Sequence, residues 1–257
     1  MFKTLKERLQ QGHRTSSWPR GPAELPGRFR GLPVLDASRC RTGCRACADA
    51  CPTGAIQLAP LRLDLGRCLF CPVCQESCPE EAIRFGGDHR LATRRREDLE
   101  TRSDAGELRL ARALDGKMRR LFGRSLKLRQ VSAGGCNGCE AELVALGNVV
   151  FDLGRFGIQF VASPRHADGL VITGPVTLNM RRALLETYDA VPSPRIVIAV
   201  GACAISGGPV AGATASSDGV GPLLPVDLFV PGCPPHPFTL LDGLLRLLGR
   251  LESGHRS

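Results

Sequence analysis

Residues 126–143, LKLRQVSAGGCNGCEAEL, run from a strand pattern through a glycine-rich loop into a helix pattern, and the loop holds Cys136 and Cys139. Further strand patterns lie at 158–163, 169–174, 195–201 and 226–232, and further helix patterns at 139–153, 176–189 and 237–251. Strands that alternate with helices predict a parallel sheet with helices on both faces. The stretch at 126–143 is therefore predicted to open an α/β domain.

Two more cysteines follow predicted strands of this domain. Cys203 comes after RIVIAVG (195–201), and Cys233 comes after VDLFVPG (226–232). The carboxyl ends of parallel strands meet at one edge of a sheet, where such folds bind their ligands. Four thiolates at this edge predict a [4Fe-4S] cluster, although a four-cysteine zinc site has the same ligands and remains the alternative. We call this group set 3: Cys136, Cys139, Cys203 and Cys233.

The other eight cysteines lie within residues 37–86, which hold an internal repeat. CRACADACPTGAIQL (44–58) matches CPVCQESCPEEAIRF (71–85) at an offset of 27 residues. In two-cluster ferredoxins, the cysteine before the proline of each run binds the cluster of the other run. Two [4Fe-4S] clusters are therefore predicted, with set 1 comprising Cys40, Cys44, Cys47 and Cys78, and set 2 comprising Cys68, Cys71, Cys74 and Cys51. Two zinc sites would favour paired C-x2-C modules instead.

The chain contains 12 cysteines and no secretory signal pattern, which argues against disulfides because the cytosol reduces them. Its formal net charge is +9, and residues 1–133 carry 26 Lys and Arg against 15 Asp and Glu. No recognition-helix or aromatic RNA-binding motif accompanies this charge, so nucleic acid is not an expected partner. No apolar run approaches the length of a membrane span. We expect a cytoplasmic protein, or one that partners hold at the cytoplasmic face of a membrane.

The composition predicts an arm, two domains and a linker between the domains. In the arm, Phe2, Leu5 and Leu9 share one helical face and Trp18 lies in a Pro- and Gly-rich stretch, so we expect a partner to cover them. The linker is charged at first and predicts a helix over 108–122. The predicted boundaries are 1–30 for the arm, 31–90 for the ferredoxin domain, 91–125 for the linker and helix, and 126–252 for the α/β domain.

Four motifs of the α/β half together resemble a known family. They are GGCNGCEAEL (134–143), SPRHADGLVITGPVT (163–177), GACAISGG (201–208) and PGCPPHP (231–237). They resemble the small subunit of group 4, membrane-associated [NiFe]-hydrogenases of the formate hydrogenlyase and hydrogenase-4 type. That family is related to the complex I protein that carries the terminal cluster of that complex. The predicted ferredoxin domain, residues 31–90, resembles the two-cluster ferredoxin subunit of the same complexes. In this protein the two subunits are fused into one chain.

The resemblance implies a fold and a function. The fold is an α/β flavodoxin-like parallel-sheet domain preceded by a small α+β two-cluster ferredoxin domain. The function is an iron-sulfur electron-transfer subunit that passes electrons through three [4Fe-4S] clusters to or from a [NiFe] large subunit, which is similar to the 49-kDa subunit of complex I. Membrane-arm subunits would hold the chain at the cytoplasmic face of the inner membrane. The C-x2-C spacing of Cys136 and Cys139 favours hydrogenase, since complex I relatives usually have two adjacent cysteines there.

The resemblance also assigns residue roles. The cysteines of set 3 would bind the cluster nearest the [NiFe] site. Glu142 would lie near that cluster, either accepting protons or, as we prefer, capping amides at the start of the helix. His166 and His236 are expected to be structural or interfacial rather than ligands. No other catalytic residue and no dinucleotide fingerprint is evident.

Three other functions remain open at this point. One is the terminal-cluster subunit of a complex I-like NADH-quinone oxidoreductase, with quinone reduced near set 3. The others are a free polyferredoxin and a zinc-bound assembly protein. A free carrier has no need of the α/β domain, and a zinc protein would show no EPR signal on reduction.

Overall fold

The computed structural model describes residues 2–104 and 108–251. Residue 1 of the predicted arm, residues 105–107 of the predicted linker and residue 252 of the predicted α/β domain lie outside that range. The elements of the front part, through residue 122, are α1 (Phe2–Gln11), β1 (Pro33–Leu35), α2 (Ala46–Asp49), β2 (Ile56–Leu58), β3 (Leu61–Asp64), α3 (Val73–Glu76), β4 (Ile83–Phe85), β5 (Glu100–Arg102) and α4 (Gly116–Phe122).

The α/β half, residues 126–251, follows. Its elements are β6 (Leu126–Ser132), α5 (Gly138–Ala145), β7 (Ile158–Phe160), β8 (Gly169–Thr173), α6 (Leu178–Ala190), β9 (Ile196–Val200), α7 (Gly201–Ser206), β10 (Leu228–Val230) and α8 (Pro237–Leu247). Among the described residues, no helix is both long enough and apolar enough to cross a bilayer.

The internal repeat appears as two matching units in residues 31–104, which we call the front half. Helices α2 and α3 begin 27 residues apart, and so do strands β2 and β4. Strand β1 precedes the first cysteine run, yet it pairs antiparallel with β4, which follows the second run. Strand β3 pairs antiparallel with β2 and β5. The two units are thus interleaved, and each consists of a cysteine loop, a short helix and a short strand.

The α/β half contains a five-stranded sheet in the order β10-β9-β8-β6-β7, with every neighbouring pair parallel. This strand order is that of flavodoxin-like folds. The last residues of four strands lie in one register row, with Ser132 beside Thr173, Thr173 beside Val200, and Val200 beside Val230. Every loop that follows these strands therefore leaves the sheet at the same level.

Three predicted helices are shorter than their sequence patterns, and α8 is one of them because it ends at Leu247 rather than at 251. Helix α5 ends at Ala145 rather than near 153, because the Asn148 side chain accepts hydrogen bonds from the amides of Val150 and Phe151 and turns the chain. The helix predicted over 108–122 begins only at Gly116. Its first part, residues 108–115, has no regular secondary structure, and the amides of Ala111 and Leu114 donate hydrogen bonds to the carbonyls of Ala92 and Leu247. Asp115 then caps α4 by accepting a bond from the Met118 amide at 2.9 Å.

The two halves share a hydrophobic core. Leu63, Ile83 and Leu99 of the front half belong to the same buried cluster as Leu170 and Ile172 of β8. The opposite face of the sheet is covered by α8, which is buried along its whole length. The front half therefore packs against the sheet directly.

The predicted arm, residues 1–30, contains a buried part around Trp18 and an exposed helix, α1. Trp18 is only 6% exposed and packs against Phe238 and Phe156, with ring centroids 5.6 and 6.3 Å apart. The expectation that a partner covers Trp18 is therefore wrong, because its own chain covers it. The apolar face of α1 is uncovered, with Phe2 and Leu9 exposed by 92% and 78%.

Replacing Trp18 by Ala should lower the free energy of unfolding by about 3–5 kcal/mol, because loss of a large buried aromatic leaves a cavity. Leu9→Ala is the matched control in the same arm and should change it by about 0.5 kcal/mol or less. Urea unfolding of the full chain, followed by circular dichroism, measures both differences. Similar small effects from the two substitutions would contradict this account of the arm.

Candidate metal centres

Set 3 lies at the carboxyl edge of the parallel sheet. Cys136 and Cys139 follow β6, Cys203 lies in α7 directly after β9, and Cys233 follows β10. The register row at the ends of these strands brings the three segments to one level. The topological argument made from the sequence thus agrees with where the structure places these four residues.

Gly201 lets the backbone approach the cysteines of set 3. It has φ +87°, and a Cβ on it would lie only 2.5 Å from the Cys139 Sγ. A side chain cannot fit there without displacing the sulfur or the backbone, and only glycine adopts this φ readily. Gly201 therefore fixes how closely α7 approaches the Cys136–Cys139 loop.

The set 3 thiols influence one another. Burial raises the pKa of Cys139 to about 12, and the charges of Glu140 and of the other three cysteines add to the rise. Burial also raises the pKa of Cys203 to about 11, with repulsion from Cys233 and Cys136. Four such groups can be thiolates together only where positive charge compensates them, as metal ions do. The donor set therefore fits a metal centre bound by four thiolates.

The set 1 cysteines line a single cavity, together with Leu61, Ala82 and Ile83 among others. Burial raises the pKa of Cys47, and Cys78 and Cys40 raise it further. Cys78 lies far from Cys47 in sequence, in the other repeat, so the exchange of cysteines between repeats is present in the structure.

Across residues 2–104 and 108–251, no three His, Cys, Asp or Glu side chains converge on the position of a single metal ion.

The set 2 cysteines show the same exchange. Burial raises the pKa of Cys68 to about 12, and repulsion from Cys74, Cys51 and Cys71 contributes. Cys51 comes from the first repeat and the other three come from the second. Each set thus contains three cysteines of one repeat and one cysteine of the other.

Backbone amides donate hydrogen bonds to three of these sulfurs. The amides of Ala55 and Ala82, which are equivalent in the repeat, donate to Cys51 and Cys78 at 3.3 and 3.2 Å. The Phe70 amide donates to Cys68 at 3.2 Å. Hydrogen bonds to cluster sulfurs are one of the factors that set the reduction potential of an iron-sulfur cluster.

The cysteines of set 2 lie near cysteines of each of the other two sets in space. Cys47 of set 1 contributes to the raised pKa of Cys74 in set 2. Cys71 of set 2 contributes to the raised pKa of Cys233 in set 3, and Cys71 and Cys233 line one cavity. Set 2 therefore lies close to set 1 and to set 3.

Glu140 is a buried carboxylate that the sequence reasoning missed. It is 7% exposed, and its Oε1 accepts hydrogen bonds from the hydroxyls of Ser132 and Thr173 at 2.5 and 2.6 Å. Burial acts to raise its pKa, but these two bonds outweigh burial and the pKa lies below its ordinary value. Glu140 thus joins α5 to the ends of β6 and β8. Its position in the first helical turn after the cysteines was the available signal.

Glu142 lies elsewhere on α5 and lines the cavity between Cys71 and Cys233. Burial raises its pKa. None of the hydrogen bonds of the described residues involves its carboxylate, so the preferred role as an amide cap is not found. The proton-accepting role stays a prediction.

The two singled-out histidines differ in position. His166 is exposed and lies before β8, at the sheet edge opposite to the cysteines. His236 caps α8, where its Nδ1 accepts a hydrogen bond from the Phe238 amide at 3.2 Å. It also packs edge-on against Phe29 and Phe151. The expected structural role of His236 agrees with these contacts.

Comparison with known proteins places the α/β half in a family. Residues 136–247 match the family described as NADH ubiquinone oxidoreductase, 20 Kd subunit. The chain is 41% identical to the probable membrane-bound hydrogenase subunit mbhJ of Pyrococcus furiosus over 51% of this chain and 79% of that protein. The chain therefore belongs to this family through its α/β half, and the front half lies outside the family match.

Two further relatives represent the two classes of protein that the motifs resemble, a hydrogenase subunit and a quinone reductase subunit. Formate hydrogenlyase subunit 7 of Escherichia coli is 46% identical over 50% of this chain, which spans about half (51%) of that relative's length. An NADH-quinone oxidoreductase subunit of Heliobacterium modesticaldum is 44% identical over 45% of this chain and 66% of its own length. Hydrogenase and quinone reductase subunits are thus similar to this chain at comparable levels.

Replacing Glu140 by Ala should lower the free energy of unfolding by about 1–3 kcal/mol, because the Ser132 and Thr173 hydroxyls lose their acceptor next to the core. Glu140→Gln keeps a carbonyl oxygen in place and should lose less. Urea unfolding of the two variants measures the difference. Equal stability of Glu140→Ala and the wild type would show that this carboxylate does not hold the edge together.

Proposed function

We propose that this chain is an iron-sulfur electron-transfer subunit of a membrane-associated [NiFe]-hydrogenase, carrying three [4Fe-4S] clusters. The observation that carries the proposal is the grouping of all twelve cysteines into three sets of four, without a cysteine left over. Membership of the 20 Kd subunit family supports the proposal for set 3. The repeat and its exchanged cysteines support it for sets 1 and 2.

The proposed ligands are those of the three sets. Cluster 1 is bound by Cys40, Cys44, Cys47 and Cys78, cluster 2 by Cys68, Cys71, Cys74 and Cys51, and cluster 3 by Cys136, Cys139, Cys203 and Cys233. The proposed domains are a two-cluster ferredoxin domain over 31–90 and a hydrogenase small-subunit domain over 126–252, joined by residues 91–125. The arm comprises residues 1–30, and the exposed face of α1 is its proposed contact with a partner.

The closeness of set 2 to both of the other sets supports an electron path from cluster 1 through cluster 2 to cluster 3, or the reverse. Each cluster would take up one electron and release it to the next. The chain itself contributes the thiolates, the amide hydrogen bonds to sulfur, and apolar cover such as Leu61 and Ile83 around set 1. No residue of this chain is proposed to react with H2.

The proposed partners are a [NiFe] large subunit similar to the complex I 49-kDa subunit, and membrane-arm subunits. Cluster 3 would be nearest the large subunit, and Glu142 could exchange protons beside it. The complex would lie peripherally on the cytoplasmic face of the inner membrane. The spacing of Cys136 and Cys139 favours this assignment over the second candidate, the terminal-cluster subunit of a complex I-like enzyme with quinone reduced near cluster 3. The 44% identity to an NADH-quinone oxidoreductase subunit supports that second candidate.

Iron analysis tests the number of clusters. The full chain prepared anaerobically should contain about twelve iron atoms, and Cys233→Ser should lose the cluster-3 EPR signal while the other two signals remain. Cys44→Ser is the matched variant and should remove only the cluster-1 signal. Zinc in place of iron, or loss of all three signals in either variant, would contradict the proposal.

Metal analysis of the assembled complex separates the two candidate functions. A complex purified through a tag on this chain should contain a large subunit with about one nickel, and should oxidise H2 with an artificial electron acceptor. A quinone reductase would contain the iron of the clusters without nickel. Its quinone reduction would depend on the region around set 3.

A further inference from the structure

Residues 16–30, which we call the strap, connect the two halves on the outside. At its start, the Ser16 amide donates to the Val150 carbonyl, and the Arg155 guanidinium donates to the carbonyls of Ser16 and Trp18. At its end, the chain enters the front half, where the Gly31 amide donates to Gly86 at 2.8 Å. The start of the strap is therefore attached to the α/β half, and its end is attached to the front half.

Between these attachments, the strap borders the junction of set 2 and set 3. Arg28, Phe29 and Arg30 line the same cavity as Cys71 and Cys233. The Phe29 ring packs edge-on against His236, with centroids 5.5 Å apart. The end of the strap is thus held where the two cysteine loops approach each other.

Arg30 makes a specific contact with the set 2 loop. Its Nε donates a hydrogen bond to the Phe70 carbonyl, directly before Cys71. Phe70 has φ +51°, a backbone conformation that residues other than glycine rarely adopt. The equivalent residue of the first repeat is Gly43, which has φ +78° and meets this requirement without a side chain. Only the repeat that faces set 3 combines the bulky residue with the arginine contact.

We propose that Arg30, which lies at the junction of sets 2 and 3, raises the reduction potentials of clusters 2 and 3 relative to that of cluster 1 through its positive charge. The inference rests on the proposed function. A reduced cluster carries one more negative charge than the oxidised cluster, so a nearby cation favours reduction. In electron transfer between these two clusters, one electron leaves reduced cluster 2 and arrives at oxidised cluster 3, or the reverse, and no bond is made or broken.

The geometry gives this charge a defined place. The Phe70 amide donates to the Cys68 sulfur, while the Phe70 carbonyl accepts from Arg30, so a single residue links the guanidinium to a set 2 ligand. Arg30 is exposed to solvent in the chain, which screens part of its charge. The shift is therefore expected to be modest and confined to the two clusters beside the cavity.

EPR-monitored redox titration of the full chain tests the inference. Arg30→Gln should lower the midpoint potentials of clusters 2 and 3 and leave that of cluster 1 unchanged, with the iron content retained. Arg30→Lys keeps a positive charge without the planar guanidinium and should stay close to the wild type. Arg20→Gln is the matched control, because Arg20 is an exposed arginine of the same strap that does not line the cavity. It should change none of the three potentials.

Three results would overturn the inference. They are unchanged potentials in Arg30→Gln, an equal shift of all three clusters, and equal shifts in Arg30→Gln and Arg30→Lys. If Arg30→Gln fails to retain iron, Arg30→Met, which also removes the charge but keeps an unbranched side chain, takes its place in the same titration and should lower the potentials of clusters 2 and 3 alone. Failure of the proposed clusters looks different, because the wild-type chain would then lack the iron signals. Failure of the hydrogenase assignment would appear as an assembled complex without nickel, a result that leaves this titration unaffected.

Discussion

The register of the parallel sheet is the constraint on which the rest of this structure depends. Strands β6, β8, β9 and β10 end in one row, at Ser132, Thr173, Val200 and Val230. Because side chains alternate along a strand, a slip of one residue would turn each buried side chain to the other face. Strand β8 is buried at all five positions, with Leu170 and Ile172 in the core shared with the front half and Val171 in the core under α8. A slip would move each of these side chains into a differently shaped core, which close packing disfavours. The packing of the sheet thereby fixes where the set 3 cysteines emerge.

The second constraint is the attachment of the front half to this sheet. Arg94 contacts Asp227 just before β10, while Arg96 binds both carboxylate oxygens of Asp64 at the end of β3, at 2.8 and 2.6 Å. Neighbouring residues of one segment thus bind the two halves, and the shared core and the strap add to this attachment. A continuous body of this kind suits an electron path, because the distance between set 2 and set 3 is set within one chain.

Much of this architecture follows from sequence patterns, because cysteine spacing and strand-helix alternation are local signals. The repeat, the parallel sheet and the common edge of set 3 were predictable in this way. Glu140 was not, since its role depends on Ser132 and Thr173, which meet it only through strand pairing. The burial of Trp18 was likewise hidden, because its partners Phe156 and Phe238 are more than a hundred residues away. The exchanged partner of each cysteine run was predicted from ferredoxin spacing, and the ligand roles themselves remain proposals.

Anomalous diffraction at the iron absorption edge, from crystals of the anaerobically prepared chain, tests the central claim most directly. The account predicts three compact iron peaks, one within each cysteine set, with the peak of set 2 between the other two. Three clusters in this order would establish the chain as a continuous electron path. Fewer than three iron peaks, single metal ions in place of clusters, or set 1 rather than set 2 beside set 3 would contradict it.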